Sequence, residues 1–261
     1  MPTMSLGGTG VSPVDSHGRG ARATRISMTD LWHHLAGAAG IQLTEQQHAL
    51  LHRYLDLLLK ANETINLTRI TDRPAAEIGH VGDALTLLPF LPKGSHGLAD
   101  VGSGGGVPGI PLAIVRPDAQ VILIESTQKK AAFLGKTIEA LHLRNVQLFI
   151  DRAESAAHGS ARESFDIVTA RAVGAMNLLV EWCLPLVKIG GKLLAMKGAK
   201  VIEELAEADK IIPKLGGGLP AIHRVNLPGT EHHVIVEVPK VTRTDKSFPR
   251  PPTIAKKKPL D

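Results

Sequence analysis

From Leu98 to Gly109 the chain reads Leu-Ala-Asp-Val-Gly-Ser-Gly-Gly-Gly-Val-Pro-Gly. An apolar run closes on a carboxylate, turns through glycines and enters a predicted helix at Pro108. Glycine tolerates φ > 0 in a tight turn and lets a ligand approach the backbone. Proline suits the first helical position, where its missing N–H is no loss. The segment 121–125, Val-Ile-Leu-Ile-Glu, is a second buried-type strand, and its acid lies 23 residues after Gly102. In open α/β sheets an acid at the end of the second strand accepts hydrogen bonds from ribose hydroxyls. Strand, side-chain-free turn and helix N-terminus together make a seat for a nucleotide-like ligand.

Two ligands compete for that seat. A dinucleotide site uses G-x-G-x-x-G, whose third glycine permits close helix–strand packing below a pyrophosphate. Counted from Gly102 the third glycine fails, because Val107 stands there. Counted from Gly104 it passes through Gly106 and Gly109, in a frame two residues late relative to Asp100. The other ligand is an adenosyl group without phosphate. A carboxylate at Asp100 would repel a pyrophosphate but pair with an amino acid's ammonium, directly or through water. Asp100 and Glu125 therefore favour S-adenosyl-L-methionine, with an NAD-dependent oxidoreductase as the alternative.

Beyond the turn, hydrophobic patterning predicts strands over 97–101, 121–125, 146–150, 165–170, 192–197, 221–225 and 233–238. Predicted helices cover 29–40, 44–60, 75–88, 108–115, 128–141, 175–186 and 201–215. In the second helix, Thr44-Glu45-Gln46-Gln47 offers a capping box. Strand–helix alternation implies an α/β fold with a mostly parallel sheet and right-handed crossovers, and the two late strands suggest an antiparallel hairpin at one edge. The expected organisation is a disordered leader (1–27), an N-terminal helical section (28–95), the ligand-binding domain (96–239) and a basic flexible tail (240–261).

The net charge of +5 is unevenly spread. The leader carries a surplus of two positive charges and the tail a surplus of five, so the body is at −2. Basic ends on a near-neutral body suit a polyanionic partner; the plainer reading of Lys256-Lys257-Lys258 is a solubilising tail. No run of 18 apolar residues is present, so no transmembrane helix and no membrane partner is expected. The one cysteine, Cys183, excludes an internal disulfide and suits a reducing cytoplasm.

Ordered motifs bring a family into view. Asn66-Leu67-Thr68, Gly79-His80-Val81-Gly82-Asp83, the run from Asp100 to Leu112, Ala170-Arg171-Ala172 and Leu194-Ala195-Met196-Lys197-Gly198 follow one another along the chain. Over about 31–238 it resembles the bacterial small-subunit rRNA guanine-N7 methyltransferases, the glucose-inhibited division protein B family. The resemblance implies a class I Rossmann-like methyltransferase with a seven-stranded sheet behind a small N-terminal helical unit. It also implies methyl transfer from S-adenosyl-L-methionine to N7 of a guanine in 16S rRNA. The cofactor positions it carries over are Gly102, Val107, Ala153, Glu154 and Arg171, with Glu125 as the ribose acid; Asp100 and Gly104 belong to the same loop. Gly79 and Ala84 depart from the family's usual Arg and Ser, which puts a local ion pair or RNA contact in doubt.

The residues, read independently, fit a low chemical demand. Guanine N7 carries an in-plane lone pair, so the enzyme's task is mainly orientation. After the fourth strand the chain has Ala170-Arg171-Ala172-Val173, with neither an Asn/Asp-Pro-Pro-aromatic motif nor a Pro-Cys pair. Arg171 is a candidate for the methionine carboxylate, a backbone phosphate or the guanine edge; an ion pair with Glu154 or Asp166 is the plainer alternative. Asn66 and His80 are candidates for the RNA side of the crevice, a structural role for His80 being the alternative. Arg152, Lys129, Lys130 and Lys197 are candidate RNA contacts or ordinary solvated charges. His48 and His52 have i, i+4 spacing, but with no third ligand in pattern no metal is expected. A third reading is a non-catalytic ribosome-assembly factor. The expected partner is 16S rRNA or the small ribosomal subunit, met by a monomer.

Overall fold

The computed structural model describes residues 28–255, 257 and 260; the predicted leader lies outside them. The N-terminal unit comprises α1 (Met28–Ala38), α2 (Glu45–Asn62), α3 (Arg73–Ala76), a π-helical stretch (Glu77–Gly82) and α4 (Asp83–Leu85). The capping box at Thr44 is present: its side chain takes the Gln47 N–H, and Gln47 reaches back to the Thr44 backbone. The third helix expected from the sequence is thus three short pieces in one run, because a π-helical turn interrupts it.

A seven-stranded sheet follows, built from β1 (His96–Val101), β2 (Ala119–Ile124), β3 (Val146–Phe149), β4 (Phe165–Arg171), β5 (Val187–Lys197), β6 (Ala221–Arg224) and β7 (Val234–Pro239). Its order is β3-β2-β1-β4-β5-β7-β6. The first five strands are parallel, and β7 is antiparallel to both neighbours. The intervening helices are α5 (Gly109–Val115), α6 (Gln128–Ala140), α7 (Ala153–His158), α8 (Met176–Cys183), α9 (Val201–Ala208) and α10 (Ile211–Lys214). The single helix expected over 201–215 is two, and the one over 175–186 ends in a 3-10 turn, Leu184–Leu186, around Pro185. Strand order reverses between β1 and β4, and ligands of open α/β sheets bind beyond the carboxyl ends at such a point.

Two apolar clusters sandwich the sheet, and the two-residue strand period sorts side chains between them. Leu98, Ile167, Leu194 and Met196 join α1, α2 and α5 on one face. Ala99, Val101, Val168, Ala170, Leu193 and Ala195 join α7, α8 and α10 on the other. Asp100 and Arg171 have the parity of the first set, so both face the N-terminal helical unit and α5.

Residues 240–255 correct the expectation of a flexible tail. Lys240 and Thr244 are buried, and Phe248 packs in the second core cluster. The segment ends in α11 (Pro252–Ala255). Backbone carbonyls at Leu184 and Leu215 accept hydrogen bonds from the Lys240 ammonium at 2.8 and 3.2 Å. Its charge is thus used inside the fold.

Candidate functional site

Strand register sets the site. Val101 pairs with Ile124 on one side and Ala170 on the other, so the residues that follow, Gly102, Glu125 and Arg171, stand abreast at the strand ends. Gly102 has φ +71°, and a Cβ there would lie 2.9 Å from Val173. Two cavities meet at this glycine. One, of about 160 Å³, is lined by Gly102, Glu125, Arg152, Ala153, Glu154 and Trp182, among others. The second, of about 730 Å³, lies against the helical unit and includes Asn66, His80, Gly104, Val107, Lys130 and Arg171.

Glu125 directly follows β2 and lines the smaller cavity. Its Oε2 accepts the Gly104 N–H at 2.9 Å and its Oε1 the Thr127 N–H at 2.7 Å. Each carboxylate oxygen has a second acceptor site, so Glu125 anchors the glycine loop and still has capacity for a pair of ribose hydroxyls. Ala153 and Glu154, both buried, begin α7 on the opposite wall. An acid with free acceptor capacity, a close-approach glycine and an apolar wall of Val173 and Trp182 fit an adenosyl group.

Asp100 does not line either cavity. It is fully buried; its Oδ2 accepts the Gly109 N–H at 3.2 Å, and its Oδ1 the Thr169 hydroxyl at 3.2 Å. Burial raises its carboxyl pKa to about 6, against the hydrogen bonds from Gly109, Ser103 and Thr169. Asp100 holds the start of α5 from beneath. The Gly109 N–H at the start of α5 is thereby taken by Asp100.

Arg171 departs from both ion pairs considered from the sequence. Its Nη1 donates to Asp83 Oδ2 at 2.8 Å and to the Gly79 carbonyl at 2.7 Å, because strand parity turns it toward the π-helical stretch. Its Nη2 lies 3.3 Å from His80 Nδ1, and His80 Nε2 lies 2.9 Å from Thr68 Oγ1. A guanidinium only donates, so Nδ1 accepts and Nε2–H donates to Thr68. Burial, with Arg171 beside it, lowers the His80 pKa to about 4. His80 is therefore a neutral imidazole with both nitrogens engaged.

Among the candidate RNA contacts, Lys129 and Arg152 are exposed and Lys130 is half-buried at the larger cavity. Lys197 differs: it is ion-paired with Glu204 of α9 and donates to the Gly174 carbonyl at 2.8 Å. Asn66 is exposed at the larger cavity's edge. Sequence reasoning missed Trp182, Val173, Asp151 and Arg69, which also line the two cavities. Among the described residues no group of three or more potential metal ligands forms, His48 and His52 included, and no helix is long and apolar enough to cross a membrane.

A sheet of this order with one antiparallel insertion, a glycine turn after β1 and a ribose-type acid after β2 defines a class I S-adenosylmethionine-dependent methyltransferase fold. The family model for rRNA small subunit methyltransferase G matches residues 47–233. A ribosomal RNA small subunit methyltransferase G from Chloroflexus aggregans is 42% identical over 224 residues, covering 85% of this chain and 94% of that protein. Its counterpart in Geobacillus kaustophilus is also 42% identical over 224 residues, with 85% and 94% covered. A third relative of that name, from Geobacillus sp. strain WCH70, is 40% identical over 235 residues, covering 89% of this chain and 99% of that protein. The chain belongs to the rRNA small subunit methyltransferase G family.

Proposed function

We propose that this chain transfers a methyl group from S-adenosyl-L-methionine to N7 of a guanine in 16S rRNA. The observation that carries the reading is the meeting of the two cavities at Gly102. One suits the adenosyl end of the donor, and the other, larger and open, suits a base. The donor supplies an activated methyl sulfonium, and the residues of the chain bind and orient. In this reading Glu125, Gly102, Ala153 and Glu154 hold the donor in the smaller cavity, Val107 approaches it from the larger one, and Arg171, Asn66 and His80 shape the acceptor side.

Among the described residues, no carboxylate lines the larger cavity and its one imidazole, His80, is engaged, which supports N7 as acceptor. His80 spends both nitrogens on Arg171 and Thr68. Guanine N7 needs no deprotonation before attack, so in-line placement is sufficient. Asn66 presents an amide able to donate to O6 or N7. Lys129, Lys130 and Arg152 are proposed to meet phosphates around the mouth, as sequence-independent contacts that fix register. The proposed setting is a cytoplasmic monomer acting on the small subunit or its rRNA.

The test uses unmodified small subunits, purified protein and isotope-labelled donor. Label at a guanine N7 is expected, and none in RNA carrying 7-deazaguanine, which lacks the acceptor atom. Label on a different atom would overturn the reading. Binding of S-adenosylhomocysteine without transfer to any small-subunit substrate would favour the assembly-factor alternative.

A further inference from the structure

The segment 240–255 lies beyond the 47–233 family match, yet it touches the helices that wall the smaller cavity. α7 carries Ala153 and Glu154 at its first turn, and it is only six residues long. A helix this short has little stability of its own, so tertiary contacts must set its position. At its far end, His158 Nε2–H donates to the Pro249 carbonyl at 2.8 Å. Arg162 then joins helix and segment: Nη1 donates to Ala157 O at 3.1 Å and Phe248 O at 2.9 Å, and Nη2 to Thr244 O at 2.8 Å.

The opposite wall is held from the same segment. Glu181 of α8 is fully buried and immediately precedes the cavity residue Trp182. Arg250 meets its carboxylate as a fork, Nε to Oε1 and Nη2 to Oε2, each at 2.8 Å, while the Arg250 backbone N–H adds a third bond at 2.9 Å. Phe248 belongs to the same apolar cluster as Ala153, Ala157 and Trp182. One stretch of three residues, Phe248 to Arg250, thus ties the C-terminal end of α7 to α8, the two helices that contribute Ala153, Glu154 and Trp182 to the cavity.

We propose that residues 240–255 form a strap that sets the spacing of the donor pocket, with Arg250, His158 and Arg162 as positioning residues for S-adenosyl-L-methionine binding. The proposal rests on the assignment of the smaller cavity to the donor. Hydrogen bonds join the strap to His158, Arg162, Glu181, Leu184 and Leu215, none of which lines the acceptor cavity, so the strap is expected to act on donor affinity rather than RNA affinity. A strap that served only overall stability would lower the melting temperature without changing donor affinity in the folded protein.

The experiment compares full-length protein with Arg250→Ala, Arg250→Lys and His158→Ala, reading S-adenosylhomocysteine binding by calorimetry and steady-state KM for each substrate. Arg250→Ala is expected to weaken donor binding and raise the donor KM by about tenfold, leaving kcat at saturating donor and the RNA KM within about twofold. Arg250→Lys keeps the charge but loses the fork, and is expected to restore affinity only in part. His158→Ala cuts an exposed contact without stranding a buried charge, so it tests the strap even if Arg250→Ala does not fold; about a threefold loss is expected. Unchanged donor affinity in the folded variants overturns the strap while leaving the cavity assignment intact. A wild-type protein that binds no S-adenosylhomocysteine overturns the cavity assignment, and the strap with it.

Discussion

Arg171, the last residue of β4, donates to Asp83 Oδ2 at 2.8 Å and so fastens the sheet's carboxyl edge to α4 of the N-terminal unit. The other Asp83 oxygen faces His233 Nδ1 at 3.3 Å, in the segment leading into β7. One nearly buried carboxylate thereby joins three parts of the chain around the acceptor cavity. The helical unit is built into the site.

Asp83→Ala should expose how much depends on that carboxylate. Removing one partner of a buried pair strands the other charge, but Arg171 keeps some solvent contact and the Gly79 carbonyl. A loss of about 2 kcal/mol is expected, below the full buried-pair figure. Urea unfolding measures it. Methyl transfer should fall further than stability does, because Arg171 then has no fixed orientation at the cavity.

His80 should titrate far below an ordinary histidine. Its folded-state pKa is about 4, whereas the unfolded chain binds the proton near 6.5. The unfolded state therefore takes up the proton first as pH falls. This group leaves stability untouched above about pH 6.5 and lowers it progressively toward pH 4. His233 has the opposite sign: hydrogen bonding to Asp83 raises its pKa, so its contribution is full below the unfolded value and is lost as pH rises through the folded one. Imidazole resonances followed by NMR between pH 4 and 8 should separate the two.

Gly109→Ala should destabilise the loop that Asp100 supports. A Cβ at residue 109 would lie 2.4 Å from Leu123 and 2.8 Å from the Asp100 carboxylate, both inside the packed layer. Overpacking of this kind costs about 1–3 kcal/mol. The expected result is a lower urea midpoint together with weaker S-adenosylhomocysteine binding, since the start of α5 and the glycine turn move as one.

The parts of this fold written in local pattern were legible from the chain. The glycine turn, the 23-residue spacing to Glu125 and the alternation of strands and helices each depend on neighbours in sequence. The burial of Asp100 was not legible from its charge alone: Leu98 and Asp100 share a face, and that face packs on α5. The Arg171–Asp83 pair spans 88 residues, and no periodicity encodes where a helical unit docks. The basic residues after Pro239 looked like a solvated tail because composition does not reveal that Lys240 finds buried carbonyls or that Arg250 finds Glu181.

Glu125 offers the sharpest separation of scaffold from ligand contact. Glu125→Ala removes the acceptor for the Gly104 and Thr127 amides as well as the proposed ribose contact. Hydrogen bonds to a charged acceptor contribute about 1.5–3 kcal/mol each, so S-adenosylhomocysteine affinity should fall by about 10- to 100-fold. Part of that loss would come from a displaced loop. A donor analogue lacking its ribose hydroxyls distinguishes the two causes by a double-mutant cycle. If Glu125 binds the ribose, the analogue binds wild type weakly, and Glu125→Ala costs it much less than it costs the complete donor. Equal losses for both ligands would mean that Glu125 acts only on the loop.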